Sequence, residues 1–271
     1  MSLVARDVVV KRCSRVVLHG VGFHLPSGSH TVVVGGNGTG KTSLLRVLSG
    51  EMRPASGSVL MKGVSVSTVP PAALARHRVF LAQQTECRLP FLARDVVRFG
   101  AEARGLRGIA ANRAADRAMH LANVAALASR PISQLSGGEQ QRIHWARVLA
   151  QLDGHWEGAY LFLDEPVSSL DLGHQHELLA LVQAICRSGA TAVTVLHDLN
   201  LSAQYADLLL VLHQQQVEAF GEPSAVLDRD RLRRVFGVSG DVISDPADNS
   251  LWVRVDRRDC AATRGVSALV G

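Results

Sequence analysis

Residues Thr31 to Gly50 read TVVVGGNGTGKTSLLRVLSG, and the reading of this stretch decides the fold. Four β-branched residues in a row, Thr31 to Val34, predict a buried strand. The strand runs straight into glycines, and KTSLLRVL then shows helical spacing closed by Gly50. Between them, Gly35-x4-Gly40-Lys41-Thr42 has the pattern of a loop that cradles phosphate. Glycines let backbone N–H groups close on phosphate oxygens where a side chain would collide. The positive end of the following helix adds to the attraction. Gly35, Gly36, Asn37, Gly38, Thr39, Gly40, Lys41, Thr42 and Ser43 are thus expected to bind a nucleotide. Lys41 would reach the β and γ phosphates and the Thr42 hydroxyl would ligate Mg²⁺. A chance glycine turn would need neither the strand nor the helix.

Working outward, RDVVVKR and RVVLHGVGFHL on the N-terminal side alternate as strands, and Pro26-Ser27-Gly28 makes a turn. GSVLMKGVSV reads as a short strand pair. From Thr85 to Gln134 the composition shifts to Ala, Arg and Leu, which predicts a helical subdomain. Short apolar runs, AYLFLDEP and ATAVTVLHD, then alternate with the helical HQHELLALVQAICRSG. That alternation implies right-handed crossovers and a mostly parallel sheet buried on both faces, an α/β fold. DLLLVLHQQQVEAFG resembles a terminal hairpin, although Gln214-Gln215 is poor turn chemistry. One domain is expected over residues 1–241, with the helical part inserted at about residues 85–145; residues 242–271 form a tail with no readable structure.

The bulk numbers exclude little. The chain of 271 residues is 47% hydrophobic and 20% charged, as a folded protein is. Only 4% is aromatic, which argues against stacked-base binding of nucleic acid, and none is expected as a partner. A formal charge of +5 suits phosphate ligands or an anionic membrane, but equally a solvated Arg-rich exterior. Cys13, Cys87, Cys186 and Cys260 form no CxxC pair, so neither a zinc ribbon nor a disulfide scaffold is indicated. The opening MSLVARDVVVKR lacks the apolar stretch of a signal peptide, and no run approaches the roughly 18 apolar residues that span a bilayer. The expected location is therefore the cytoplasm, or a membrane surface reached through a partner.

YLFLDEP, Tyr160 to Pro166, is an apolar strand ending in two acids. Open α/β sheets hold ligands at strand ends, so the acids would emerge beside the phosphates. Asp164 would serve Mg²⁺, and Glu165 stands where a general base for an attacking water belongs. An acidic pair alone can also be a helix-capping device. In LSGGEQQRIHWARVLAQ, Ser136 and Glu139 form an S-x-x-E capping box ahead of an amphipathic helix. Gly137 and Gly138 fall at its first two positions, where glycine weakens a helix by up to ~1 kcal/mol. They admit close approach of backbone N–H groups to an anion. Two anion-binding helix ends and one nucleotide suggest a site shared between two copies of the chain.

Read together, these segments resemble the ATP-binding subunits of ABC transporters over nearly the whole chain, to about Asp241. The resemblance implies a P-loop ATPase with an N-terminal antiparallel β subdomain and an inserted α-helical subdomain. It also implies that Ser136, Gly137 and Gly138 bind ATP across a head-to-tail dimer. Gln83 matches the glutamine that senses Mg²⁺ and joins the two subdomains, with Gln84 as the fallback. Asp171, in SSLD, matches the loop by which the copies touch, and His197 the histidine at the γ-phosphate. Two positions depart from the pattern. Arg12 stands where an aromatic residue usually stacks on adenine, and its guanidinium plane can still stack. Gly36 replaces a common proline.

RLPFLARDVV, LDLGHQHELL and VLHDLNLSAQYAD are similar to the ATPases of bacterial importers for heme, ferric siderophores and vitamin B12, and the insertion DGHWEG is closest to the heme branch. The resemblance implies an ATP hydrolase energising heme import, peripheral on the cytoplasmic face of the inner membrane. Its partners would be a second copy, two permease subunits and, indirectly, a periplasmic heme-binding protein. A siderophore or vitamin B12 importer is the alternative. A soluble ABC ATPase or a small-molecule kinase is the remoter one. Leu89, Phe91 and Leu92 beside Pro90 would form a socket for a permease helix. His174 and His176 are not expected to ligate heme.

Overall fold

The computed structural model describes residues 2–13, 15–83, 90–247 and 250–256. At its centre is β3, His30–Gly35, buried at every residue. It lies parallel to β8, Thr191–Val195, on one side and to β9, Leu208–His213, on the other. The sheet continues through β7, Tyr160–Asp164, to β6, Arg78–Leu81, and ends on the far side with β10, Gln216–Gly221. Every pairing is parallel except β9 with β10. The expected parallel α/β sheet is therefore present.

Alternation along β3 sorts the layers. Val33 packs with α1, Lys41–Leu48, and with an N-terminal antiparallel sheet. That sheet consists of β1, Leu3–Arg12; β2, Arg15–Leu25; β4, Ser56–Met61; and β5, Val64–Ser65. Val32 and Val34 point the other way, into the larger cluster with the helices of residues 93–236. Period-two side-chain alternation in a strand covered on both faces produces this split.

A short α2, Pro71–Leu74, leads into β6. The helical part comprises α3, Ala93–Arg104; α4, Gly108–Leu121; and α5, Gly137–Leu152. Its core is alanine-rich, with Ala101, Ala111, Ala114, Ala115 and Ala118 all buried, so the helices lie close together. A Cβ on Gly100 would fall 2.0 Å from the Arg147 carbonyl oxygen, which fixes glycine where α3 crosses α5. α5 runs past residue 145 to Leu152, and near its end Gln151 donates to the Ala75 and Arg78 carbonyls at 2.8 and 3.1 Å. One helix thus spans both subdomains.

α6, Leu172–Arg187, and α7, Leu199–Tyr205, fill the crossovers of the sheet. The β9–β10 hairpin forms with positive φ at both Gln214 (46°) and Gln215 (69°). Tertiary bonds hold that unfavourable turn, with His19 N donating to the Gln215 carbonyl at 2.9 Å. Beyond the sheet come α8, Pro223–Val226, and α9, Arg229–Phe236. The sequence leaves the following segment unplaced, yet it carries a hairpin of β11, Gly240–Ser244, and β12, Leu251–Val255. Val253 is docked to α7 by the amide of Asn200, which accepts from Val253 N at 2.6 Å and donates to its carbonyl at 3.3 Å.

Candidate active site

An open cavity of about 540 Å³ lies where β3 ends and α1 begins. Asn37, Gly38, Thr39, Gly40, Lys41, Thr42 and Ser43 line one side. Lys41 is buried, and its ammonium donates to the Gly35 and Gly36 carbonyls at 2.8 and 2.9 Å. Burial pulls its pKa down, against the attraction of Glu165 and Asp164. A phosphate would give this cation a better partner than two carbonyl oxygens.

The end of β7 supplies the acids. Asp164 is buried and accepts from the Thr42 hydroxyl at 3.3 Å. Burial raises its carboxyl pKa, with the Thr42 bond opposing. Glu165 follows with φ 50°, a left-handed conformation rare outside glycine. That turn brings its carboxylate into the cavity, where Gln83 Nε2 donates to Oε2 at 2.7 Å and His197 Nε2 meets Oε1 at 2.5 Å. Gln83 comes from the segment after β6 and His197 from the segment after β8. Three predicted catalytic residues from three strand ends meet on one carboxylate.

Arg12 lines the same cavity, and so does Arg15, which sequence reasoning missed. The two are cross-strand partners at the end of the β1–β2 hairpin. Gln84 and Leu89 lie outside the described residues.

Ser136, Gly137, Gly138 and Asp171 do not line this cavity. The capping box is present: Ser136 Oγ accepts from Glu139 N at 3.3 Å, and Glu139 Oε2 accepts from Ser136 N at 2.8 Å. Those bonds hold the Glu139 carboxyl below its usual pKa. Ser136 and Gly137 are exposed, and a Cβ on Gly137 would meet nothing within 4 Å. Gly138 has a reason within the chain: its Cβ would fall 2.8 Å from the Ser169 carbonyl oxygen. Asp171 caps α6, accepting from His174 N at 3.0 Å and from the His174 ring at 2.8 Å. Arg142 donates to the other ring nitrogen at 2.9 Å, which places the imidazole proton on Nδ1. His174 thus tethers Asp171 to α5, and His176 meets the Tyr205 hydroxyl at 2.7 Å.

Sequence reasoning also missed Gln141. Its Nε2 donates to the Glu165 carbonyl at 3.1 Å, and its Oε1 accepts from Ser169 N at 3.3 Å. The signal was its spacing of three from Gly138, which sets both on one face of α5. A larger groove of about 1070 Å³, beside Tyr205, Glu222 and Trp252, holds none of the predicted site residues. No helix among the described residues is long and apolar enough to cross a membrane.

The ABC transporter family model matches residues 18–168, more than half of the chain. The chain belongs to the ABC transporter family. It is an ABC ATPase, an ATP-binding chain. It is 39% identical to the hemin import ATP-binding protein HmuV of Rhizobium meliloti (strain 1021), over 90% of this chain and 94% of that protein. Against the protein of the same name from Photobacterium damsela subsp. piscicida the identity is 40%, over 92% and 94%. Among solved ABC structures, the fold is similar to a chain of a transporter assigned to the metal-chelate type, in an inward-facing conformation. There the TM-score is 0.76 at 24% identity, over 94% of this chain and 96% of that one. It is also similar to a dimeric ATP-binding cassette bound to ADP and Pi, with TM-score 0.72 at 22% identity, over 82% and 98%.

Proposed function

We propose that this ABC ATPase powers hemin import, as a head-to-tail dimer beneath two permease subunits on the cytoplasmic face of the inner membrane. The observation that carries ATP hydrolysis is the meeting of Gln83 and His197 on the Glu165 carboxylate. The choice of hemin is supported by relatives named for hemin import at about 40% identity over nine-tenths of the chain.

The phosphate loop holds ATP by its backbone N–H groups, and Lys41 turns from the loop carbonyls to the β and γ phosphates. Glu165 takes a proton from the attacking water, His197 orients that water against the γ-phosphate, and Gln83 keeps the carboxylate aimed. The oxygen atoms of Thr42, Asp164 and Gln83 suit a hard cation such as Mg²⁺. Held by these residues, it would supply positive charge against the phosphates. The base packs against Arg12 by its guanidinium plane, with Arg15 beside it. Exposed Ser136 and Gly137 are then free to close over the nucleotide of the second copy, with Asp171 at the contact between copies.

Phe91 and Leu92 stay 38% and 41% exposed although Phe91 stacks edge-on against Phe99, which is itself 38% exposed. These residues offer a permease helix an apolar seat. The test is reconstitution with the cognate permease in lipid, with binding protein supplied empty or hemin-loaded. Hemin should be transported and should stimulate ATP turnover. Phe91→Asp should abolish that stimulation while leaving nucleotide affinity within about twofold. Uptake of a ferric siderophore or cobalamin with hemin ignored would reject the substrate and keep the importer.

A further inference from the structure

Glu165 sits in a strained backbone, and something must hold it there. A non-glycine residue at φ 50° persists only where surrounding bonds over-determine it. Glu165 N donates to the Val195 carbonyl at 3.2 Å, which fixes one side of the peptide. On the other side, its carbonyl accepts from the backbone and hydroxyl of Ser168 at 3.3 and 3.2 Å, bonds internal to the same turn. The Gln141 amide, at 3.1 Å, is the donor that reaches this carbonyl from a separate element.

The same amide accepts from Ser169 N at 3.3 Å, so both ends of the side chain are engaged on the segment that follows Glu165. One helical turn earlier, Gly138 lets the backbone of α5 approach the Ser169 carbonyl to a distance that no Cβ would allow. Arg142, next along the helix, reaches Asp171 through the His174 ring. The start of α5 and the segment from Glu165 to Asp171 are therefore held face to face, with Gln141 between them.

We infer that Gln141 is a positioning residue for Glu165, and that through it the helix opening at Ser136 is mechanically joined to the hydrolytic base of the same chain. This rests on the composite-site reading above. Ser136 and Gly137 serve the nucleotide of the second copy, whereas Glu165 serves this chain's own. A shift of α5 as it closes on the partner's nucleotide is transmitted through one amide to the backbone that aims Glu165. The two sites of the dimer then sense each other without any contact between their nucleotides.

The test uses the full chain, with ATP turnover measured across ATP concentration and thermal unfolding followed in parallel. Gln141→Leu removes both hydrogen bonds, and Gln141→Glu keeps an acceptor for Ser169 N while losing the donor. Both should lower kcat about 10- to 100-fold with KM within about twofold, as expected when a catalytic group is misplaced rather than lost. Gln141 acts through Glu165, so adding Gln141→Leu to Glu165→Gln should leave the residual turnover unchanged within about twofold. Wild-type kcat in Gln141→Leu, a loss confined to KM or to melting temperature, or an additive loss in the double variant would each overturn the inference. ATP-driven dimerisation of Glu165→Gln separates the two ideas. If that single variant turns over ATP normally or forms no long-lived dimer, the reading of the site fails and takes the inference with it. A long-lived dimer there, with normal turnover in Gln141→Leu, sinks the inference alone.

Discussion

At Glu165 one side chain accepts two hydrogen bonds from side chains more than thirty positions away, Gln83 and His197. Its neighbour Asp164 differs in every respect that matters chemically, being buried and bonded to the Thr42 hydroxyl. Two adjacent acids thus stand in different surroundings, which supports the tasks proposed for them, one toward a cation and one toward water. Replacing Glu165 by Gln keeps the shape and removes the proposed base. Single-turnover hydrolysis should slow about 10²- to 10⁴-fold, ATP binding should persist, and the ATP-bound dimer should become long-lived. Hydrolysis at the wild-type rate would end the assignment. Lys41 shows the same dependence on environment: its buried ammonium rests on loop carbonyls, a contact that phosphate oxygens would replace with advantage.

Among the elements, β3 has two ends of different character. Its last residue opens the phosphate loop, while its first, His30, is fully buried. His30 Nδ1 donates to the Tyr205 carbonyl at 2.8 Å and Nε2 accepts from the Thr194 hydroxyl at 2.9 Å, joining β3, β8 and the end of α7. Burial lowers its pKa from 6.5 to about 4, against opposing pulls from the Tyr205 carbonyl and Asp207. The folded chain therefore binds fewer protons than the unfolded chain between those values, and stability falls as the pH drops through that window. Between pH 7 and 5 the loss should be roughly 2 kcal/mol, read from equilibrium urea unfolding. His30→Gln should flatten that slope, whatever it does to stability at pH 7. An unchanged slope would mean that other groups set the acid sensitivity.

At the scale of the molecule, α5 carries Ser136 and Gly137 to the surface away from the cavity that Lys41 and Glu165 line. A dimer that closes both sites should tolerate both lesions in one site and none in the other. Lys41→Ala and Ser136→Arg subunits, each nearly inactive alone, should recover some ATP turnover when mixed in the assembled transporter. An inactive mixture calls for crosslinking between the Ser136 region and the partner's phosphate loop under ATP. Failure to crosslink would exclude the shared site.

The amino-acid sequence by itself determined the parts whose chemistry is local. The glycine loop, its strand and helix, the acid pair and the capping box were all legible, because each depends on neighbours within a few positions. Gln83 and His197 were found through motif resemblance, and the fold brings both to Glu165. Only the tertiary structure placed Arg15 on the cavity and showed what Gln141 and Arg142 bond to. The partners of Gln141 and Arg142 are remote in sequence, and a glutamine or arginine on a helix face looks like any solvated residue until its partner is in place. The Gln214-Gln215 turn and the Asn200–Val253 dock belong to the same class. Local propensity opposes that turn, and an Asn on a short helix announces no strand. Both exist because long-range backbone groups needed hydrogen-bond partners, which local sequence patterns do not record.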